Sequence, residues 1–412
     1  MKSQLQKLEK NYFLVKVKFI SFPIEFIKKK DNIMKLQKWL TSFIFASIVL
    51  VGCSDDGDGP SGPADPVYST GSSTFGDATG NDVIYGIEPI AGGFLLVGNT
   101  ETLNNGSSSD GLVMQVDLEG NVAWESTVDS GNNDYDRFYD VELAADGNIL
   151  AAGFGTVGSG DTDMMFAVMT SGGTLSNMSL FGTTARERAY SVGDWSSSSA
   201  YMMAGYNSNT KATIQFIDTG DFSDAGVDIL DSAESSWYRG INTGGTIALV
   251  GDALVDGQYD GIFSTITSEK TDKVLSTVAS RLYGINNTAN GDLVICGTAD
   301  NGSGYIAKAN TSGALAWETT TTEIAILWSV MEDSMGNVVA VGWSGTDAIM
   351  VKTDSQGQIT LTKTFNGTAS GTDRFFGVAE SESGEYVMVG STAVSSDGTT
   401  SGWMVRTTPD GN

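Results

Sequence analysis

A short apolar run closed by glycine recurs seven times: "FLLVG" ending at Gly98, "ILAAG" at Gly153, "YMMAG" at Gly205, "IALVG" at Gly251, "LVICG" at Gly297, "VVAVG" at Gly342 and "YVMVG" at Gly390. Successive glycines lie 55, 52, 46, 46, 45 and 48 residues apart. A spacing of this size is the scale of a propeller blade and too long for one coil of a β-helix. Each unit reads as four strands. The first carries an aromatic, usually a small residue, then Val or Ile, starting at Tyr85, Tyr139, Tyr190, Tyr283, Trp328 and Phe376; the fourth unit, "SSWYRGI", is offset. Turns such as Asp146-Gly147-Asn148 and Asn290-Gly291-Asp292 lead into the glycine-ended strand. A third strand follows a variable loop, and another glycine turn opens the fourth, as in "GNVAWEST" and "GALAWETT". One such sheet cannot bury both faces, whereas seven packed face to face around an axis can.

The ends of the repeat region interlock. The seventh unit stops at "TTPDGN", where its fourth strand should begin. The segment "VYSTGSSTFG", residues 67–76, precedes the first aromatic strand as "LTKTFNG" precedes the one at Phe376. The expectation is an all-β chain: a seven-bladed β-propeller of four-stranded antiparallel blades over 67–412, closed by an N-terminal outer strand that removes two exposed sheet edges. A β-sandwich is the competing fold, but it leaves the interlock unexplained. The 51 glycines and 6 prolines suit many tight turns. These units resemble the propeller repeats common in Bacteroidota surface and secreted proteins. That resemblance implies a fold and not an activity. Trp124 and Trp317 give a looser similarity to quinoprotein repeats, but the tryptophan-docking pattern fails in most units. No quinone, and no other cofactor, is expected.

Ahead of the repeats, "WLTSFIFASIVLVG" runs from Trp39 to Gly52 behind Met34, Lys35 and Lys38. It is short for a membrane span, which takes roughly 20 apolar residues, and reads as a signal peptide over 34–52. Leu50-Val51-Gly52-Cys53 resembles the lipobox of bacterial lipoproteins. The resemblance implies cleavage before Cys53, a diacylglycerol on its thiol, and a membrane partner held through acyl chains. Ser54-Asp55-Asp56-Gly57-Asp58 is similar to the acidic export signal of Bacteroidota lipoproteins, which implies the outer face of the outer membrane. Residues 53–66 form an acidic Gly/Pro-rich tether. Residues 1–33 precede a complete leader and are read as an extension or mis-assigned start, with translation beginning at Met34.

The net charge is −27, and the first 53 residues hold 10 of the 23 Lys and Arg but 3 of the 50 Asp and Glu. The remainder therefore sets 13 cations against 47 acids, a surface that repels phosphate backbones, so nucleic acid is excluded as a partner. There is no histidine, which rules out Ser-His-Asp and Cys-His catalysis and His-ligated metals. The two cysteines cannot form a disulfide framework, and Cys296, within "LVICG", reads as a small core residue.

Loops after the second and fourth strands share one face and are expected to be the long ones, which makes that face and the channel mouth the candidate binding region. Arg137, Arg188, Arg281 and Arg374 each stand two residues before a first-strand aromatic. They could form a guanidinium ring that holds an acidic sugar or a carboxylate. Alternatively each pairs with a nearby acid such as Asp136 or Asp373 and clips blades together. The repeat-locked aromatics belong to the core by their spacing. Trp195, Trp237 and Trp343 break the pattern and are the exposed-binding candidates. Asp134/Asp136 and Asp161/Asp163 carry oxygens suited to calcium, but neither completes an EF-hand-type loop, so no metal site is expected. No catalytic residue is assigned. The functional expectation is a surface lipoprotein whose propeller binds a glycan or an envelope protein, or serves as a scaffold. The alternative is a carbohydrate-active hydrolase or lyase with paired carboxylates, although no pair among the 47 acids is singled out by position.

Overall fold

The computed structural model describes residues 70–412 apart from 77–79, 102–107, 132–134, 159, 185, 196–199, 208–210, 230–234, 244–245, 267–269, 368 and 396–397. The leader, Cys53 and the tether lie outside the described residues. Regular structure among those described is all strand, arranged as seven four-stranded antiparallel sheets. Six blades follow the chain in order, with innermost strands Val83–Ile90, Arg137–Leu143, Arg188–Trp195, Ser235–Thr243, Ala279–Asn287 and Ile326–Glu332. The seventh takes Arg374–Glu380, Tyr386–Ala393 and Thr400–Thr407 from the C-terminal end and its outer strand, Gly71–Phe75, from the other end. Gly71 pairs with Arg406 and Phe75 with Gly402, so the expected closure is present. Trp403 Nε1 also donates to Ser72 Oγ at 3.0 Å.

Burial follows position in the blade. The second strand of blade 1, Gly93–Thr100, is buried at every residue, because neighbouring blades cover both of its faces. The outer strand of blade 6, Ile359–Phe365, alternates exposed and half-buried residues, as a strand covered on one side should. Apolar side chains gather into one cluster per blade interface. Leu95, Val97 and Val113 of blade 1 meet Phe138, Val141 and Met165 of blade 2, and Phe75, Val387 and Met404 of blade 7 meet Ile84, Phe94 and Leu96 of blade 1. The last contact closes the ring.

Strand pairing explains the recurring glycine. In every innermost strand the register skips one residue, the aromatic: Phe138 pairs with Gly153 and Asp140 with Ala152, leaving Tyr139 between them. The same bulge falls at Tyr85, Tyr190, Tyr238, Tyr283, Trp328 and Phe376. A bulge bends the strand and re-aims the extra side chain. It also presses the preceding carbonyl onto the neighbouring strand. At Gly98, Gly153, Gly205, Gly297, Gly342 and Gly390 an added Cβ would sit 1.8–1.9 Å from the carbonyl oxygen of Val83, Arg137, Arg188, Arg281, Ile326 and Arg374. The fourth unit is thereby corrected: Tyr238 holds its bulge, and the apparent offset comes from Trp237, which pairs with Gly251.

Turns at the opposite face are closed by local chemistry. Asn310 Oδ1 accepts from the N–H groups of Ser312 and Ala314 while Gly313 takes φ +69°. The loop-rich face is less uniform than expected. Blades 4 and 6 join their second and third strands by the two-residue turns Asp256-Gly257 and Gly345-Thr346.

Candidate binding face

The bulged aromatics meet in the central channel. Going round, ring centroids are 5.0 Å apart for Tyr85–Tyr139, 4.6 Å for Tyr139–Tyr190, 5.4 Å for Tyr190–Tyr238, 4.9 Å for Tyr238–Tyr283, 4.9 Å for Tyr283–Trp328, 6.0 Å for Trp328–Phe376 and 4.7 Å for Phe376–Tyr85. Seven blades thus contribute one ring each to a closed apolar circle. Burial pushes the Tyr85 phenol up to about 12, against the lowering effect of Arg137. The core assignment of these aromatics stands, with the refinement that they pack on the axis rather than between blades.

Above this circle lies the mouth where the inner strands begin. Arg137, Arg188 and Arg374 open their strands, and Arg281 is the third residue of its own. The expected clips to Asp136 and Asp373 are absent. Asp136 accepts instead from Ser130 N–H, Ser130 Oγ and Thr156 N–H at 2.6–2.9 Å. Asp373 accepts from Gly367 N–H, Thr392 Oγ1 and Ala393 N–H at 2.7–3.1 Å. Both acids are spent on backbone N–H groups and a hydroxyl of the adjoining loop and strand. Of the four arginines only Arg281 has a carboxylate partner among the described residues, Asp252 of the preceding blade at 3.1 Å. The others lean on aromatic faces: Arg137 Cζ is 4.9 Å from the Tyr85 centroid, Arg188 Cζ 4.5 Å from Phe154, and Arg374 Cζ 5.0 Å from Trp343. The Nε atoms of Arg137 and Arg188 are buried without an acceptor.

The three tryptophans separate. Trp343 is half-buried at the mouth, 5.9 Å from Trp328 and 5.6 Å from Phe376, so it extends the aromatic circle rather than standing free. Trp195 ends its inner strand, at the face of the tight turns, and packs half-buried on the cluster between blades 3 and 4. It is not part of the mouth. Trp237 takes the register position that Phe138 and Leu282 hold in other blades, and its side chain lies outside the described residues. Of the calcium candidates, Asp134 is outside the description, and no three acids among the described residues are placed to hold a metal ion. Cys296 is fully buried with its thiol directed at the Leu327 carbonyl, 3.4 Å away; burial holds its pKa far above the ordinary value.

Below the circle the channel opens as a polar well of about 270 Å³. Its walls carry Glu88 from blade 1, Asp140 and Glu142 from blade 2 and Arg239 from blade 4. Arg239 Nη2 is 3.2 Å from Asp140 Oδ1, while Asp140 Oδ2 accepts from Val192 N–H. Desolvation, then the charges of Glu142 and Asp140, push Glu88 up to about 8; desolvation likewise lifts Glu142 to about 7. Sequence reasoning missed this cluster. Its members follow the aromatics by one or three residues in different blades, and no single blade repeats the set.

No protein-family model matches the chain, and no curated protein matches it. Solved structures match it by shape. A catalytically inactive variant of virginiamycin B lyase from Staphylococcus aureus, with quinupristin, is 14% identical with a TM-score of 0.55, covering 82% of this chain and 99% of that one. A streptogramin B lyase is 11% identical, TM-score 0.57, covering 82% and 97%. Selenomethionine-substituted virginiamycin B lyase from the same bacterium is 12% identical, TM-score 0.54, covering 82% and 99%. At these identities the likeness is one of fold.

Proposed function

We propose that this propeller acts by binding, with its loop-rich face turned to a glycan or an envelope protein and its N-terminal cysteine carrying a lipid that tethers it to the outer surface of the outer membrane. The observation that carries the binding reading is the mouth itself. In a domain dominated by acids, the guanidinium groups of Arg137, Arg188 and Arg374 gather over a closed aromatic floor and have no carboxylate partner among the described residues. Such a surface supplies donors and ring faces for binding. The test is a glycan array with the purified protein, alongside affinity capture from envelope extracts. Retention of defined partners without turnover supports the reading; release of shortened products overturns it. The anchor is tested separately: radiolabelled fatty acid should enter the wild-type protein and be absent from Cys53→Ser.

A second reading has one observation of its own. The well beneath the floor sets Glu88, high in pKa, near Asp140, which an arginine holds as a charge partner. Burial raises both carboxyls, and a carboxyl held in its protonated form near neutrality, as Glu88 is, suits a general-acid role. The lyase neighbours make a lyase the natural comparison. However, a histidine replacement accompanies the inactive form of one of them, and this chain has no histidine to supply such a group. Under this reading Glu88→Gln abolishes the release of unsaturated or reducing ends from a polysaccharide panel; under the binding reading there is no release to abolish.

A further inference from the structure

We infer that the cleft between blades 2 and 3 at the mouth is a carboxylate-binding site, fitted to one acidic sugar unit such as a uronate. This inference rests on the binding reading above and names its ligand class. The cleft encloses about 310 Å³ and is lined by Tyr135, Arg137, Phe154, Arg186 and Arg188 together with small residues of the two loops. A cavity of this size holds one sugar ring.

Three of the thirteen cations that follow Cys53 converge here, and no acid among the described residues lines the cleft. Alternation of side chains along the stretch that leads into the strand at Arg188 accompanies the sorting. Arg186 and Arg188 face this side, while Glu187 between them lines the neighbouring depression with Thr183 and Asp224. Phe154 pairs with Arg137 across the blade and is 5% exposed. Both guanidinium groups rest against its ring, with Cζ 5.8 Å from the centroid for Arg137 and 4.5 Å for Arg188. That stacking fixes the planes of the two forks before any ligand arrives. Their Nε–H groups are buried and lack acceptors. An unmet buried donor is costly, and a carboxylate is the acceptor that meets a guanidinium edge with two parallel hydrogen bonds. The threonine hydroxyls at the rim are already committed: Thr156 Oγ1 donates to the Tyr135 carbonyl and Thr162 Oγ1 to the Glu187 carbonyl. Recognition therefore falls to the arginines. Arg186 is exposed and free to close over a ligand that Arg137 and Arg188 hold from below.

The experiment is isothermal titration of the full chain in detergent with digalacturonate, with galactobiose as the uncharged control and galactose 6-sulfate as a different anion. The expected result is digalacturonate binding about tenfold or more tighter than galactobiose, weakened by about tenfold in Arg186→Glu and in Arg188→Gln. Lys363→Gln, on the outer strand of blade 6 and away from the mouth, should leave the affinity unchanged. Arg186 is solvent-exposed, so its replacement tests the site without threatening the fold. Equal losses in Arg186→Glu and Lys363→Gln would mean general electrostatic attraction and overturn the cleft. Equal affinity for both disaccharides, or tighter binding of the sulfate, would overturn the carboxylate assignment while leaving a binding module. Absence of binding to every ligand on the array would overturn both.

Discussion

A methyl group on Gly153 would occupy the same space as the Arg137 carbonyl oxygen, 1.8 Å from the ideal Cβ, and that oxygen is held there by the bulge at Tyr139. The contact is with backbone, so no rotamer change relieves it. Gly147 offers the contrast. It lies in a turn at φ +87° with nothing within 4 Å of its Cβ position, so an alanine there meets conformational strain alone. Gly153→Ala should therefore destabilise the domain by about 2–4 kcal/mol and Gly147→Ala by about 1 kcal/mol. Paired thermal melts check the order, and equal shifts would mean that the bulge relaxes at little cost. The glycine was legible in the sequence because it closes a contiguous apolar run, but its cause was not, since the clashing carbonyl belongs to another strand. Arg239 was illegible for a related reason. Other blades place Gly86, Asp140, Ser191, Gly284, Ser329 and Gly377 where it stands, so repetition hides it.

Among the elements, the strand Gly71–Phe75 does the most with the fewest residues. It supplies the fourth strand of blade 7, and Phe75, 6% exposed, enters the cluster that joins blade 7 to blade 1. Removing residues 70–76 would leave Thr400–Thr407 as an open edge at the ring's seam, and unpaired edges are aggregation templates. The truncated protein should melt at least about 10 °C lower and form soluble oligomers on size exclusion, with Phe75→Asp a milder version of the same defect. Unchanged melting would mean that the ring closes through apolar packing alone. This strand was readable from sequence, because a missing element at one end matched a surplus at the other. The mouth was only half readable. Arginine positions repeat with the blades, but their partners depend on which loops approach, and Asp136 and Asp373 turned out to brace backbone rather than guanidinium. The two-residue turns of blades 4 and 6 were equally invisible, since a short turn and the start of a longer loop have similar composition.

Across the whole molecule, the closed aromatic circle divides the axis into a cationic mouth and an acidic well, and the well makes stability depend on pH. Glu88 on blade 1 faces Asp140 and Glu142 on blade 2 and Arg239 on blade 4, and one guanidinium cannot neutralise three carboxylates. In the folded chain Glu88 keeps its proton up to about 8 and Glu142 up to about 7, mainly through desolvation, whereas both ionise near 4.5 when free. Between those values the folded state binds more protons than the unfolded state, so raising the pH favours unfolding. Asp117, lowered chiefly by its hydrogen bond from Asn121, acts in the opposite sense, but that loss occurs only as the pH falls below its ordinary value of 3.8. The self-repulsion of a chain at net −27 adds to the decline on the alkaline side. Melting temperature should therefore peak near pH 5 and fall steadily to pH 9. Glu88→Gln removes one of these penalties without changing shape, and should stabilise the protein at pH 9 by on the order of 2 kcal/mol, part of the full shift being screened by water entering the open well. At about pH 4, where Glu88 is neutral in the folded chain and mostly so in the unfolded one, the same variant should melt close to the wild type. A Glu88→Gln curve parallel to wild type from pH 5 to 9 would show that the carboxyl is ionised in the native well at every pH, and the electrostatic account of the channel would fail with it.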